Sequence, residues 1–255
     1  MKTQIDAIFF DLGGTLRILH DDPPYQEKAI KRLAELAGTD MDPKAFLDFC
    51  DERYEDYRKE IFVTNREATE SEMWIKWILP EYPHERLMEN AVEMSLMYRM
   101  AKGHRLLVPN GREAIETLYA RGYKLGIISN LITSREVPDW LEEDGLTKYF
   151  DPVLLSAVIG LRKPDPEIYR YACREIGVEP ARCASVADNL ARDFTGSKQA
   201  GIGMNILFMS EEKFEKKKAT ITDENRPDVI INDFIELIDM FPGVPNVNEE
   251  ALRRL

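Results

Sequence analysis

Asp11 ends the apolar run Ile8-Phe9-Phe10, and the chain continues Leu12-Gly13-Gly14-Thr15-Leu16. A carboxylate at the end of a buried strand, with two glycines and a hydroxyl behind it, points to chemistry rather than packing. The glycines let the backbone turn sharply and bring bare amide N–H groups close to an anion. Three more polar groups follow short apolar runs. Ser129-Asn130 follows Gly126-Ile127-Ile128, and Asp188-Asn189 follows Ala184-Ser185-Val186-Ala187, with Asp193 shortly after. Arg162-Lys163-Pro164-Asp165-Pro166 lies just beyond the run 153–156. Each alone has an ordinary reading. Asp11 could be a turn residue, Ser129 a helix N-cap, Lys163 a solvated loop residue and Asp193 a cap at a positively polarised helix start. Together they have one destination, because ligands of an open parallel sheet bind at the carboxyl ends of its strands.

The elements that must hold these groups alternate. Residues 5–10 read as a first buried strand. Between 23 and about 102 the apolar residues recur at helical spacing instead (Leu33, Ala34, Ala37; Phe46, Leu47, Cys50; Trp74, Trp77, Ile78), punctuated by Pro43, Pro80 and Pro83. Beyond Pro109 the spacing predicts helices over 112–121, 166–176, 193–200 and 234–240, and strands over 124–129, 153–155, 183–187, 205–209 and 228–231. The fold class is therefore α/β, a Rossmann-like parallel sheet with helices on both faces and an inserted all-helical cap. Residues 1–16 and 105–255 form the expected core domain and 17–104 the expected cap domain, with hinges near 16–22 and 103–108.

Bulk properties narrow the partners. Of 255 residues, 34 are Lys or Arg and 46 are Asp or Glu, giving a formal net charge of −12. Such a surface repels phosphate backbones and argues against nucleic acid. Any anionic substrate needs a local positive site. The lysine-rich run 213–218 reads as a solvated face. Cys50, Cys173 and Cys183 are odd in number and scattered, so they read as buried free thiols in a reducing compartment. No apolar run spans a bilayer and no signal-peptide block opens the chain, so a cytoplasmic location and no membrane partner are expected. Oligomeric state is not legible.

Asp11-Leu12-Gly13-Gly14-Thr15, Ser129-Asn130, Lys163-Pro164-Asp165-Pro166 and Asp188-Asn189-Leu190-Ala191-Arg192-Asp193, with Gly196 and Ala200-Gly201, resemble the motifs of the haloacid dehalogenase-like (HAD) hydrolase superfamily. The helical insertion lies where that family places a small cap. The resemblance implies that Asp11 is the nucleophile and becomes a transient aspartyl-phosphate. It implies that Lys163 balances charge, and that Thr15, Ser129 and Asn130 contact a small phosphorylated substrate. It also implies that Asp11, Asp188, Asp193 and the Gly13 carbonyl hold Mg²⁺, an ion suited to hard oxygen ligands. Phosphoryl transfer is mostly positioning and charge neutralisation, which this set supplies.

Gly13 departs from the pattern. The family's phosphatases usually carry a second Asp there, which protonates the leaving group and then activates water. A positioned acid/base contributes on the order of 10²–10⁴-fold. Its loss matters most for alkyl esters and least for acyl phosphates, aryl phosphates or anhydrides. Three readings stay open: a phosphatase that is slow, restricted or helped by a cap acid (Asp21, Asp22, Glu52, Glu55 or Asp56); a dehalogenase or phosphonatase, the latter needing a cap lysine such as Lys28, Lys31 or Lys59; and a phosphate-binding protein without efficient turnover. Retention of Asp188 and Asp193 favours metal over the dehalogenase branch. Arg17, Arg53, Tyr54, Tyr57 and Arg58 could face substrate, although the last four also suit an exposed helix face. Trp74, Trp77 and Ile78 read as cap core, the three histidines as no zinc site, and His20 as a remote surrogate acid.

Overall fold

The computed structural model describes residues 4–244. Strands β1 (Ala7–Phe10), β4 (Lys124–Ser129), β5 (Phe150–Leu155), β6 (Cys183–Ala187), β7 (Met204–Phe208) and β8 (Val229–Ile231) form one sheet. Their spatial order is β5-β4-β1-β6-β7-β8, and every pairing is parallel. The strands are almost uniformly apolar because helices cover both faces. Side chains alternate along β1. Ile8 and Phe10 pack with α5 (Gly111–Ala120), α6 (Glu136–Glu143) and α11 (Ile235–Met240). Ala7 and Phe9 pack with α8 (Pro166–Ile176) and α9 (Thr195–Ala200) on the other face. The chain places β4 and β5 on one side of β1 and β6 to β8 on the other. The strand order therefore reverses at β1, where a parallel sheet opens its crevice.

The helical cap comprises α1 (Pro23–Ala37), α2 (Pro43–Thr64), α3 (Glu70–Glu72, continued by a π-turn Met73–Ile78) and α4 (His84–Ala101). Asp22 and Asp42 cap α1 and α2, each followed directly by proline, and Gly38 ends α1 at φ 73°. The cap has its own apolar cluster, in which Leu33, Phe46, Trp74 and Leu87 are fully buried and Ile132 is the one core-side member. Trp74 Nε1 donates to Ser95 Oγ at 2.9 Å. Trp74 and Ile78 are thus cap core as expected, and Trp77 is half-buried against it.

Several elements differ from the sequence expectation. The segments read as hinges pair as an antiparallel ribbon, β2 (Arg17–His20) with β3 (His104–Leu107). Each strand is four residues long and half polar, too short to show alternation. Helix α6 lies outside the expected helices, and Pro138 falls within it. This proline lies in the first turn, where its missing N–H costs no helical hydrogen bond. All three cysteines are buried and unbonded, with the Cys173 and Cys183 sulfurs 3.7 Å apart.

Candidate functional site

Register brings the polar groups together. Phe10 is level with Ile127 and Val186, and Asp11 N donates to Val186 O at 2.9 Å. Asp11, Ser129 and Asp188 therefore leave the sheet at one edge. The backbone then turns through Gly14 at φ 85°, where a Cβ would fall 2.3 Å from Asp188 Oδ2. That position tolerates only glycine. Lys163 arrives on the loop after α7 (Ser156–Ile159). The Asn130 amide donates to Lys163 O at 2.8 Å and accepts from Lys163 N at 2.9 Å, which clamps the loop.

Lys163 is almost wholly buried. Its Nζ donates to Asp11 Oδ1 at 2.5 Å and to Ile128 O at 2.8 Å, and lies 2.6 Å from Asp193 Oδ1. The last contact is a buried ion pair. Asp11, Asp188 and Asp193 each offer an oxygen within 4.8 Å of the others. Arg192 sits over all three: its Nη2 is 3.3 Å from Asp11 Oδ2, 3.4 Å from Asp188 Oδ1 and 3.3 Å from Asp193 Oδ2. A π-turn (Leu190–Phe194) carries Arg192 and Asp193 ahead of α9.

Electrostatics follow from this packing. Burial pushes the Asp11 carboxyl up, but Lys163 and then Arg192 outweigh it and hold it below the usual range. Burial, followed by the Asp11 charge, pushes Asp188 up to about 6. Three carboxylates face two cations, Lys163 and Arg192, which leaves one negative charge uncompensated. A divalent ion in place of Arg192 would, with Lys163, balance the three carboxylates and leave the site neutral towards an incoming phosphate. Three hard oxygen donors fit Mg²⁺, provided that Arg192 withdraws. Its side chain is one-third exposed and has room to leave.

The remaining expected residues separate. Ser129 and Gly13 line a cleft of about 860 Å³ together with Asp11 and Asp188. No atom lies within 4 Å of a Cβ built on Gly13. Thr15 is fully buried, and its Oγ1 donates to Asp11 Oδ2 at 3.4 Å. Thr15 thus contacts Asp11 rather than facing the cleft, and Asn130 lines the cleft while its side chain holds Lys163. Arg53 pairs with Glu81 and Arg58 with Glu55, while Tyr57 is buried, and none of them lines the cleft. Asp21, Asp22, Glu52, Glu55, Asp56, His20, Lys28, Lys31 and Lys59 do not line it either.

Two features escaped the sequence reading. One is Arg192, which stood inside a quoted motif with no role. Its position immediately before Asp193 was the available signal. The other is a buried ion pair between Glu67 of the cap and Arg162, next to Lys163. Glu67 also accepts from Ser156 Oγ at 2.8 Å and from the Tyr57 hydroxyl, and its N–H donates to Gly160 O at 2.8 Å. The cap therefore braces the loop that carries Lys163.

Comparison with known proteins agrees with this geometry. The chain is 24% identical over 235 residues to a glyceraldehyde 3-phosphate phosphatase of Methanothermobacter thermautotrophicus, covering 91% of this chain and 98% of the relative. It is 27% identical over 240 residues to a ribulose-1,5-bisphosphate 5-phosphatase of Halopiger xanaduensis, covering 92% and 98%. Among solved structures, the fold matches a 2-haloacid dehalogenase from Pseudomonas syringae with TM-score 0.64 and 21% identity, covering 98% of this chain and 99% of that one. A family model for haloacid dehalogenase-like hydrolases matches residues 5–201. With Asp11, the buried Lys163 and the Asp188–Asp193 pair gathered at the carboxyl ends of its strands, the chain belongs to the haloacid dehalogenase-like hydrolases.

Proposed function

We propose that this hydrolase is a Mg²⁺-assisted phosphatase of small phosphorylated metabolites, working through an aspartyl-phosphate on Asp11. The observation that carries the reading is the grip of Lys163 on Asp11 Oδ1 beside the Asp188 and Asp193 oxygens. Oδ1 is fixed, while Oδ2 has only the long contacts to Thr15 and Arg192. Oδ2 is therefore the oxygen that attacks phosphorus. The new P–O bond forms as the ester P–O bond breaks, and the leaving oxygen departs with the electron pair. Water then cleaves the acyl phosphate, releasing inorganic phosphate and restoring Asp11. Lys163 neutralises charge on both the nucleophile and the phosphoryl group, and Ser129 holds a phosphoryl oxygen. Asp11, Asp188, Asp193 and the Gly13 carbonyl would hold Mg²⁺, which supplies charge neutralisation at the phosphoryl group.

Gly13 offers no proton to the leaving group, and among the described residues the cleft lining contains no acid other than Asp11 and Asp188. Leaving groups that depart without a proton, such as acyl and aryl phosphates, are therefore preferred. The same gap supports the second reading, a phosphate-binding protein of little turnover. The names of the two phosphatases above support small phosphorylated sugars as the substrate class. Residues 1–16 with 105–255 are proposed as the core domain and 17–104 as the cap. Among the described residues no helix is long and apolar enough to cross a membrane. A cytoplasmic setting without nucleic-acid or membrane partners is proposed on the net charge of −12 and the scattered thiols.

A panel of phosphate esters including acetyl phosphate and p-nitrophenyl phosphate, assayed with Mg²⁺ and with chelator, tests the proposal. Turnover should require the metal, and Asp11→Asn should abolish it with an unchanged circular dichroism spectrum. Full activity in Asp11→Asn removes the nucleophile assignment. Zero turnover in the wild type with measurable phosphate binding supports the second reading.

A further inference from the structure

The cleft has a second cationic pole for which attack at phosphorus has no use. Arg17 lies on β2, Arg105 on β3 and Arg99 in the last turn of α4, and all three line the cleft that holds Asp11. In the ribbon Arg17 is opposite Leu107, and Arg105 is opposite Leu19. Residues two apart share a face, so Arg17 and Arg105 are diagonal neighbours on one side of it. Like charges at that spacing repel unless something negative lies between them.

Protein acids compensate only part of this charge. Arg99 Nε donates to Glu136 Oε2 at 2.9 Å, the one ion pair that the three arginines make among the described residues. Arg105 donates to the carbonyls of Arg99 and Gly103, both at 3.3 Å. The Arg17 guanidinium lies over the Trp140 ring, 4.7 Å from its centroid. Its Nη1 is closed off from solvent and has no hydrogen-bond partner. Asp144, Glu136 and Glu143 act on Arg17 only from beyond ion-pair distance. Burial, then the Arg99 charge, lowers Arg105 to about 10, as expected for a cation short of counter-charge. On a chain carrying −12 overall, such a cluster is a local exception.

We infer that Arg17 and Arg105, flanked by Arg99, bind a second anionic group of the substrate, a carboxylate or a second phosphate, while its phosphoryl group sits at Asp11. This rests on the phosphatase reading and names its substrate class: a small molecule with a phosphoryl group at one end and an acid at the other. The planar guanidinium fork suits either anion. An anion between the two arginines relieves their repulsion. Binding at that remote group also holds the reacting phosphorus against Asp11.

Calorimetric titration of the Asp11→Asn protein tests this with matched probes. One arm compares 2-phosphoglycolate with ethyl phosphate, and the other compares propane-1,3-diol bisphosphate with propyl phosphate. The acid-bearing probe of at least one arm should bind about tenfold tighter or more than its partner. The arm that shows the preference identifies carboxylate or phosphate. Arg17→Gln and Arg105→Gln, each in the Asp11→Asn background, should bring that ratio towards one, and Arg105→Lys should restore part of it. Among the described residues Arg105 lies over no aromatic ring, so its variant serves if loss of the Trp140 contact unfolds Arg17→Gln. Equal binding within both arms overturns the inference while the phosphatase reading stands. A preference that survives both substitutions also overturns it. Failure of every probe to bind removes both.

Discussion

Arg192→Met should tighten divalent metal binding, because the guanidinium occupies the place a cation would take. Its Nη2 makes three contacts of 3.3–3.4 Å with Asp11, Asp188 and Asp193. These are longer than the 2.7–2.9 Å of a strong charge-assisted bond, and the side chain is one-third exposed. Each contact is therefore assigned about 0.5–1 kcal/mol, between an exposed ion pair and a buried charged hydrogen bond. The sum, about 1.5–3 kcal/mol, is what a metal ion must overcome to displace Arg192. Removing it should raise Mg²⁺ affinity roughly ten- to a hundredfold. Isothermal titration of metal-free wild type and variant reads this without reference to turnover. The metal-free variant should also melt about 3–10 °C lower, since three carboxylates then face Lys163 alone. Affinity unchanged within about twofold, or weakened, would refute the competition and make Arg192 a helper of the ion instead.

Gly13→Asp should raise turnover of alkyl monoesters by up to about 10²–10⁴-fold, since the position has open space and a backbone that accepts a side chain. Steady-state kinetics on ethyl phosphate check this, and no gain would show that proton transfer is not what limits the enzyme. Glu67→Gln leaves the Arg162 cation buried without its partner and should cost about 3–5 kcal/mol. The expected signs are a clearly lower melting temperature and partial recovery in Glu67→Leu/Arg162→Met. Burial pushes Glu136 up, but Arg99 outweighs it and holds the carboxyl below its ordinary value of 4.5. That pair therefore stabilises the fold fully above the ordinary value and loses its contribution as pH falls through the lower folded value. Glu136→Gln should flatten the decline of melting temperature below about pH 4.5, and an identical pH slope in both proteins would remove this role.

Local spacing within the chain was enough for much of the fold. Helix 166–176 and strand 183–187 appear with the expected bounds. Both are strongly patterned, one by helical periodicity and the other by an unbroken apolar run. The cap was visible because short unbroken apolar runs give way there to an apolar period of 3.6. Asp11, Lys163, Asp188 and Asp193 could be picked out because each follows a short buried segment, and a parallel sheet sends such ends to one edge. The ribbon β2–β3 was not legible, since its pairing partners are separated by 84 to 90 residues and neither strand shows a pattern.

What the chain alone determined was therefore which groups are available and which elements carry them. Periodicity and the polarity of strand ends are local properties, and they survive in a one-dimensional record. Contact between distant side chains does not. Only the folded chain decided that Arg192 lies over three carboxylates, that Thr15 and Asn130 serve Asp11 and Lys163, that Glu67 braces Arg162, and that Arg17 and Arg105 share a face. Long arginine side chains can reach many partners, and the packing around them selects which one they meet.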